Sequence, residues 1–358
     1  PAFEPVTKFN ATIDDVNRFP DMLEQAYREA VSGCPGPVHL QFQGNEGQVD
    51  LGEADLEQRK DMRFTSVPPL RPQGEERDIL ATLDILQKSK KPVIISGGGV
   101  KYSKASAALI QFAEGLNIPV ATSLNGKDTF LANHPLSAGV VGTYSRGSAN
   151  QIVKNADTVC FIGTKTGGMT THFWNIPEVG IPAIQIDIDP AEIGRNYPLK
   201  ASVQGDALTV LEKMLTLIDT STGKNRENWV KECNKIVSNW YSDFDTLLKS
   251  DNVPIRPERL CSELTNLVPS DSLIVVDTGH AGMWMGGMFD ITSPSQNYIR
   301  SAGHLGWAFP AALGAKCALP HRPIICFTGD AGFWYHIAEI ETAVRGNINS
   351  IIVVNNNS

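Results

Sequence analysis

The chain has 358 residues, a hydrophobic share of 42%, a charged share of 20% and a formal net charge of −8. That length exceeds one ordinary core and predicts roughly two or three domains. The acidic balance argues against a nucleic-acid footprint, and no apolar run approaches the roughly 20 residues that span a bilayer. Small molecules, with no nucleic acid and no membrane, are the expected partners.

Residues 1–43 read as one helix and one strand. Val16, Phe19, Leu23, Ala26, Tyr27 and Ala30 share a helical face, the turn Gly33-Cys34-Pro35-Gly36-Pro37 stops it, and residues 38–42 alternate as a strand. Two such elements cannot bury a core, so they are expected to close a domain whose body lies upstream of Pro1. Residues 44–75, rich in Gly, Glu and Pro, read as a linker ending at Pro68-Pro69 and Arg71-Pro72. Residues 76–218 alternate strand signals (92–96, 119–122, 158–162, 183–188) with helical ones (103–116, 148–154 and a closing 206–218), the pattern of a parallel sheet covered on both faces.

Residues 219–256 are charged and read as a helical linker, with Trp229 and Trp240 expected at the surface. A second alternation fills 257–358: helix 257–267, strand 273–277, helix 310–318, strand 324–328, helix 335–345 and strand 350–354. An end on Asn355-Asn356-Asn357 is unusual for a doubly wound sheet, so continuation past Ser358 is expected. The fold class is therefore α/β, with doubly wound parallel sheets: a Rossmann-like central domain and a truncated second one. No signal peptide opens the chain, although an upstream targeting segment stays open because Pro1 is not a Met. The six cysteines form no C-x-x-C pair, and Cys160, Cys261, Cys317 and Cys326 lie in apolar or helical stretches. Reduced thiols and a cytoplasmic location are expected.

The chemistry concentrates near the end. An apolar strand runs into Gly329-Asp330-Ala331-Gly332, and a helix follows. In open α/β sheets ligands bind beyond the carboxyl ends of the strands, and small residues let the backbone approach a phosphate. A carboxylate beside a diphosphate is repelled unless a divalent cation lies between them, and Mg²⁺ takes oxygens from one or two carboxylates plus phosphates. One helix and one strand later the chain reaches Asn356-Asn357, back at the same sheet edge, where an Asn oxygen could complete a metal shell. The alternative is a tight turn with a capping Asp and a polar loop.

This spacing resembles the cofactor motif of the thiamine-diphosphate (ThDP) enzymes, Gly-Asp-Gly followed at a distance by Asn-Asn, as in acetolactate synthases and 2-oxo-acid decarboxylases. The resemblance implies Asp330 and Asn357 as metal ligands and Gly329, Asp330, Ala331, Gly332 and Asn357 as cofactor-binding residues, with Ala331 in place of the motif's second Gly. The run Gly303-His304-Leu305-Gly306-Trp307-Ala308-Phe309-Pro310 is similar to the family's Gly-Thr-Met-Gly-Phe-Gly-Leu-Pro. There Leu305 would be the apolar wedge under the cofactor rings and the Gly303 carbonyl the acceptor for its 4′-amino group. Asp277-Thr278-Gly279-His280-Ala281-Gly282-Met283-Trp284 resembles a loop that contacts the cofactor, which adds Gly279 and His280. The runs 183–196 and 36–41 resemble the family's central domain and the last strand of its pyrimidine-binding domain.

The resemblance thus implies the tail of a pyrimidine domain (1–43), a central domain (76–218) and a truncated diphosphate-binding domain (257–358). It implies ThDP, Mg²⁺, a 2-oxo-acid substrate, a homodimer or homotetramer, and decarboxylation with acetolactate-synthase-like carboligation. Simple decarboxylation of a 2-oxo acid or oxalyl-CoA stays open, as do a flavin or nicotinamide redox protein and a non-catalytic paralogue. The family's catalytic Glu belongs to the pyrimidine domain, so no catalytic residue is assigned and residues 1–358 alone are expected to be inactive. Ser96-Gly97-Gly98-Gly99 lacks the third glycine of a dinucleotide fingerprint, where Tyr102 stands. FAD, bound by the central domain of acetolactate synthases, is left possible, although their arginine-bearing segment reads here Gly163-Thr164-Lys165-Thr166-Gly167-Gly168-Met169. Asp187 and Asp189 read as a strand-end turn closed by Pro190. His134, His172, His321 and His336 lack metal-ligand spacing.

Overall fold

The computed structural model describes residues 2–42 and 61–357, so most of the expected linker 44–75 lies outside the described residues. Three parallel sheets follow one another along the chain. The first pairs β1 (Phe9–Ile13) with β2 (Val38–Phe42), with helix Phe19–Val31 between them. The second contains β3 (Pro92–Ser96), β4 (Val120–Thr122), β5 (Ser137–Val140), β6 (Thr158–Ile162), β7 (Ala183–Asp187) and β8 (Leu199–Gln204), in the spatial order β5-β4-β3-β6-β7-β8. The third contains β9 (Leu273–Val276), β10 (Asn297–Arg300), β11 (Ile324–Gly329) and β12 (Ile351–Asn355), in the order β10-β9-β11-β12.

Strand alternation explains why helices cover both faces of the two larger sheets. In the central sheet Ile94, Cys160, Ile162 and Ile184 enter one core, while their neighbours Val93, Ile95, Val159 and Phe161 enter the other. In the third sheet Ile274, Val276, Ile325 and Phe327 face one core, and Leu273, Val275, Ile324 and Cys326 the opposite one. Each sheet also reverses its winding once, between β3 and β6 and between β9 and β11. Such switch points open a crevice at the carboxyl ends of the strands.

The structure adds strands that the hydrophobic pattern did not disclose: β1, β5, β8 and β10. Three of them are outer strands of the larger sheets, where a partly solvated face removes the unbroken apolar run that marks an inner parallel strand. The expected helix 335–345 is two shorter ones, Asp330–Tyr335 and Glu339–Arg345. Trp229 and Trp240 are buried, not exposed. Trp229 lies on helix Glu227–Leu248, whose apolar face covers one side of the central sheet, and its indole N–H donates to the Pro92 carbonyl at 2.9 Å. Cys317 is exposed, whereas Cys160, Cys261 and Cys326 are buried. Among the described residues no helix is long and apolar enough to cross a membrane.

Candidate functional site

The motif residues gather at the carboxyl edge of the third sheet, around its switch point. β9 ends into Asp277-Thr278-Gly279 and β11 into Gly329-Asp330. Gly329 is paired in register with Asn355, so Asp330 and Asn357 leave neighbouring parallel strands at the same edge. The loop after β10 brings Gly303 and Leu305 to that edge.

Asp277 organises the edge. It is buried, and three groups donate to its carboxylate: the Thr278 N–H at 2.8 Å, the Gly306 N–H at 3.0 and 3.1 Å to its two oxygens, and the Thr328 hydroxyl at 2.8 Å. Gly332 packs against it so closely that a Cβ there would meet Asp277 Oδ2 at 2.6 Å. Gly306 adopts φ +86°, and a Cβ would meet Tyr335 Cβ and His336 Nδ1 at 2.8 Å each. These glycines let the β10 loop lie on helix Asp330–Tyr335, which fixes the loop's position over the sheet edge.

Asp330 differs in kind. It is half-buried, and its side chain has no hydrogen bond or ion pair among the described residues. A Cβ on Gly303 or Gly329 would meet nothing within 4 Å, so open space borders both backbones. Leu305 keeps 43% of its surface exposed, and its Cδ2 lies 3.5 Å from where a Cβ on Gly279 would sit. An uncommitted carboxylate suits a divalent cation, bare backbone suits an anionic group held by that cation, and an exposed apolar side chain suits flat rings. Ala331 is helical and avoids positive φ, so the extra methyl group causes no backbone strain. His280 and Asn357 are exposed, and Gly279 adopts φ +70°.

A cavity of about 620 Å³ runs from the carboxyl edge of the central sheet to this loop. Gly98, Gly163, Lys165, Asp187 and Asp189 line one end, and Thr278, Arg300 and Gly303 the other. Gly97 and Gly99 serve packing, because a Cβ on either would collide with Gly163. The turn reading of Asp187 and Asp189 agrees with the Asp189 N–H donating to Asp187 at 3.0 Å, and burial holds the Asp187 carboxyl above its ordinary range. Sequence reasoning missed the role of Asp277 and missed Arg300. The first stands at the end of an apolar strand and was visible, whereas the second sits on the unrecognised β10.

Two family models match the chain: the thiamine pyrophosphate enzyme central domain over residues 79–214 and the C-terminal TPP-binding domain over residues 277–358. The chain belongs to the thiamine-pyrophosphate enzyme family. Within that family it is similar to a probable acetolactate synthase large subunit of Methanococcus aeolicus, at 32% identity over 99% of this chain and 61% of the relative. It is also similar to the acetolactate synthase isozyme 3 large subunit of Escherichia coli K12 (28%, 99% and 61%) and to a glyoxylate carboligase of Escherichia coli O157:H7 (29%, 99% and 59%). The chain therefore spans about three-fifths of the length of these relatives. Both family matches contain a switch-point edge described above, and the TPP-binding match contains every candidate cofactor residue from Gly279 to Asn357.

Proposed function

We propose that this chain supplies the Mg²⁺–diphosphate half of a ThDP site in an enzyme that decarboxylates a 2-oxo acid and transfers the product to a second carbonyl. The observation that carries this reading is the Asp330 carboxylate, unpartnered among the described residues, beside the open backbone of Gly329 and next to the strand that leads into Asn355-Asn356-Asn357. Asp330 and Asn357 would hold the metal, Gly329, Ala331 and Gly332 would face the diphosphate, and Gly279, His280, Gly303 and Leu305 would meet the rings. When bound, ThDP supplies the electron sink for loss of CO₂. The residues of this chain orient it and neutralise its tail. Carboligation is favoured over simple decarboxylation because the similar proteins carry the names acetolactate synthase and glyoxylate carboligase.

The same reading places the domains at 1–43, 76–218 and 257–358, and it includes a homodimer or homotetramer. Exposed Trp334, Tyr335, Val344 and Ile351 support association. Free cysteines support a reducing, cytoplasmic setting. FAD is the second cofactor that the relatives suggest. The cavity's volume favours it, the absence of arginines from residues 163–169 disfavours it, and a visible flavin band in the purified complete protein decides.

The central test is calorimetry of the complete protein with ThDP. Binding is expected to require Mg²⁺, and Asp330→Ala is expected to remove that dependence together with about tenfold or more of the affinity. Equal affinity with and without Mg²⁺ would refute the metal site.

A further inference from the structure

Three cations line the cavity: Lys101, Lys165 and Arg300. Lys101 is paired with Asp128 at 2.9 Å and also donates to the Tyr298 carbonyl. Lys165 is paired with Glu192 at 3.3 Å. Arg300 has no carboxylate partner among the described residues. Its Nη2 makes one long hydrogen bond, 3.4 Å, to the Thr278 hydroxyl, its guanidinium lies 6.0 Å from the Tyr144 ring centroid, and its Nε is shut off from solvent with no acceptor. The neighbouring Asp277 carboxylate accepts from Thr278, Gly306 and Thr328 and makes no direct contact with Arg300.

Arg300 is partly buried, and Asp277 attracts it without forming an ion pair. A guanidinium with an unmet Nε and no direct carboxylate contact is costly and is completed by an anionic ligand. The position narrows the ligand. Arg300 ends β10, three residues before Gly303, and it touches Thr278, one residue before Gly279. It therefore sits at the cofactor end of the cavity, away from Asp187 and Asp189. At that end the guanidinium and Gly303 line the same cavity. A planar guanidinium presents paired donors that match a carboxylate.

We infer that Arg300 binds the carboxylate of the 2-oxo acid as it enters from the cavity. This rests on the assignment of Gly303 and Leu305 to the cofactor. The charge environment supports the ligand's sign: burial holds the Arg300 pKa below its usual value, so an anion that offsets this desolvation is held more firmly than at an exposed arginine.

The test uses the complete protein, with pyruvate as the probe. With ThDP and Mg²⁺ saturating, Arg300→Gln is expected to raise the KM for pyruvate about tenfold or more, the worth of one charge-assisted hydrogen bond, while ThDP affinity stays within about twofold. Arg300→Lys is expected to recover part of the loss, because it restores charge without the fork. A second readout needs no cofactor. Pyruvate is expected to raise the Tm of the ThDP-free wild type and not that of Arg300→Gln, whose own Tm is expected to equal or exceed the wild-type value because an uncompensated charge is gone. An unchanged KM overturns the inference. So does a Tm of Arg300→Gln several degrees below wild type, which marks a packing residue. So does a loss confined to inorganic pyrophosphate or ADP, which marks a phosphate site. Failure of the wild type to bind ThDP refutes the proposed function instead, and the cofactor-free Tm shift with pyruvate still decides the role of Arg300.

Discussion

The two aspartates at the third-sheet edge, Asp277 and Asp330, divide into structure and function by their partners. Asp277 is buried with three donors, and Asp330 is half-exposed with none among the described residues. Asp277→Ala leaves those donors without an acceptor and is expected to lower stability by about 3 kcal/mol or more in urea denaturation. Asp330→Ala is expected to change stability by no more than about 0.5 kcal/mol while it removes Mg²⁺-dependent cofactor binding. A large stability loss at Asp330 would contradict this division. Lys127 makes a pH prediction at the same scale. It is buried, donates to the Gly286 carbonyl at 2.9 Å, and is surrounded by Arg146, Asp290 and Cys261. Burial first, and Arg146 second, hold its pKa down to about 7. Below pH 7 both folded and unfolded chains carry the proton. Above it the unfolded chain holds more protons, up to the ordinary lysine range, so this group makes stability rise with pH over that interval. Lys127→Met removes that rise. The wild type's advantage over the variant is expected to grow between pH 7 and pH 9 in denaturant midpoints, and a constant difference would refute the assignment.

Elements differ in how openly the sequence announces them. β3, β6, β9 and β11 are inner strands with unbroken apolar runs, and they were legible along with the Gly329-Asp330 turn that depends on β11. β10 was not legible, because an outer strand of four residues, Asn297-Tyr298-Ile299-Arg300, sets only two apolar residues between polar ends. Arg300 was lost with it. Helix Glu227–Leu248 was read as a linker because its charged face dominates the composition, and long-range packing, absent from any local window, decides its burial. Arg226, just before that helix, shows how firmly the element is tied down. Its buried guanidinium donates to the Leu116 carbonyl at 2.5 Å, to Ser89 at 3.1 Å and also to Leu86. Those carbonyls end helices Glu76–Lys88 and Ser106–Leu116, where a positive charge also interacts favourably with the negative ends of the helix dipoles. Arg226→Leu is expected to lower stability by about 2–4 kcal/mol, measured by urea denaturation, since buried carbonyls lose their donors. A loss within about 0.5 kcal/mol would show that water replaces them.

At the scale of the molecule, one polar network joins the central sheet, the long helix and the third-sheet domain. Arg146, after β5, donates to the Gly287 carbonyl at 2.6 Å, to the Tyr241 hydroxyl at 2.7 Å and to Asp290, and its guanidinium stacks 4.7 Å from the Trp240 ring centroid. The Tyr241 hydroxyl donates to Asp290 at 2.9 Å, which closes the triangle. Arg146 holds the Asp290 carboxyl below its ordinary range despite burial. Such a network is expected to set how the cavity's two ends face each other, because Arg146 follows a strand of the central sheet and Asp290 belongs to the third-sheet domain. Its contribution to stability is a separate quantity, since two charges removed from water offset much of their attraction. Asp290→Ala strands the Arg146 charge and is expected to cost about 3–5 kcal/mol. The double variant Arg146→Met with Asp290→Leu is expected to recover most of that in denaturant midpoints, while the KM for substrate stays raised because the two edges are no longer held in register. A double variant as unstable as Asp290→Ala would mean that the network stabilises the fold directly, and a wild-type KM in the double variant would mean that it does not align the cavity.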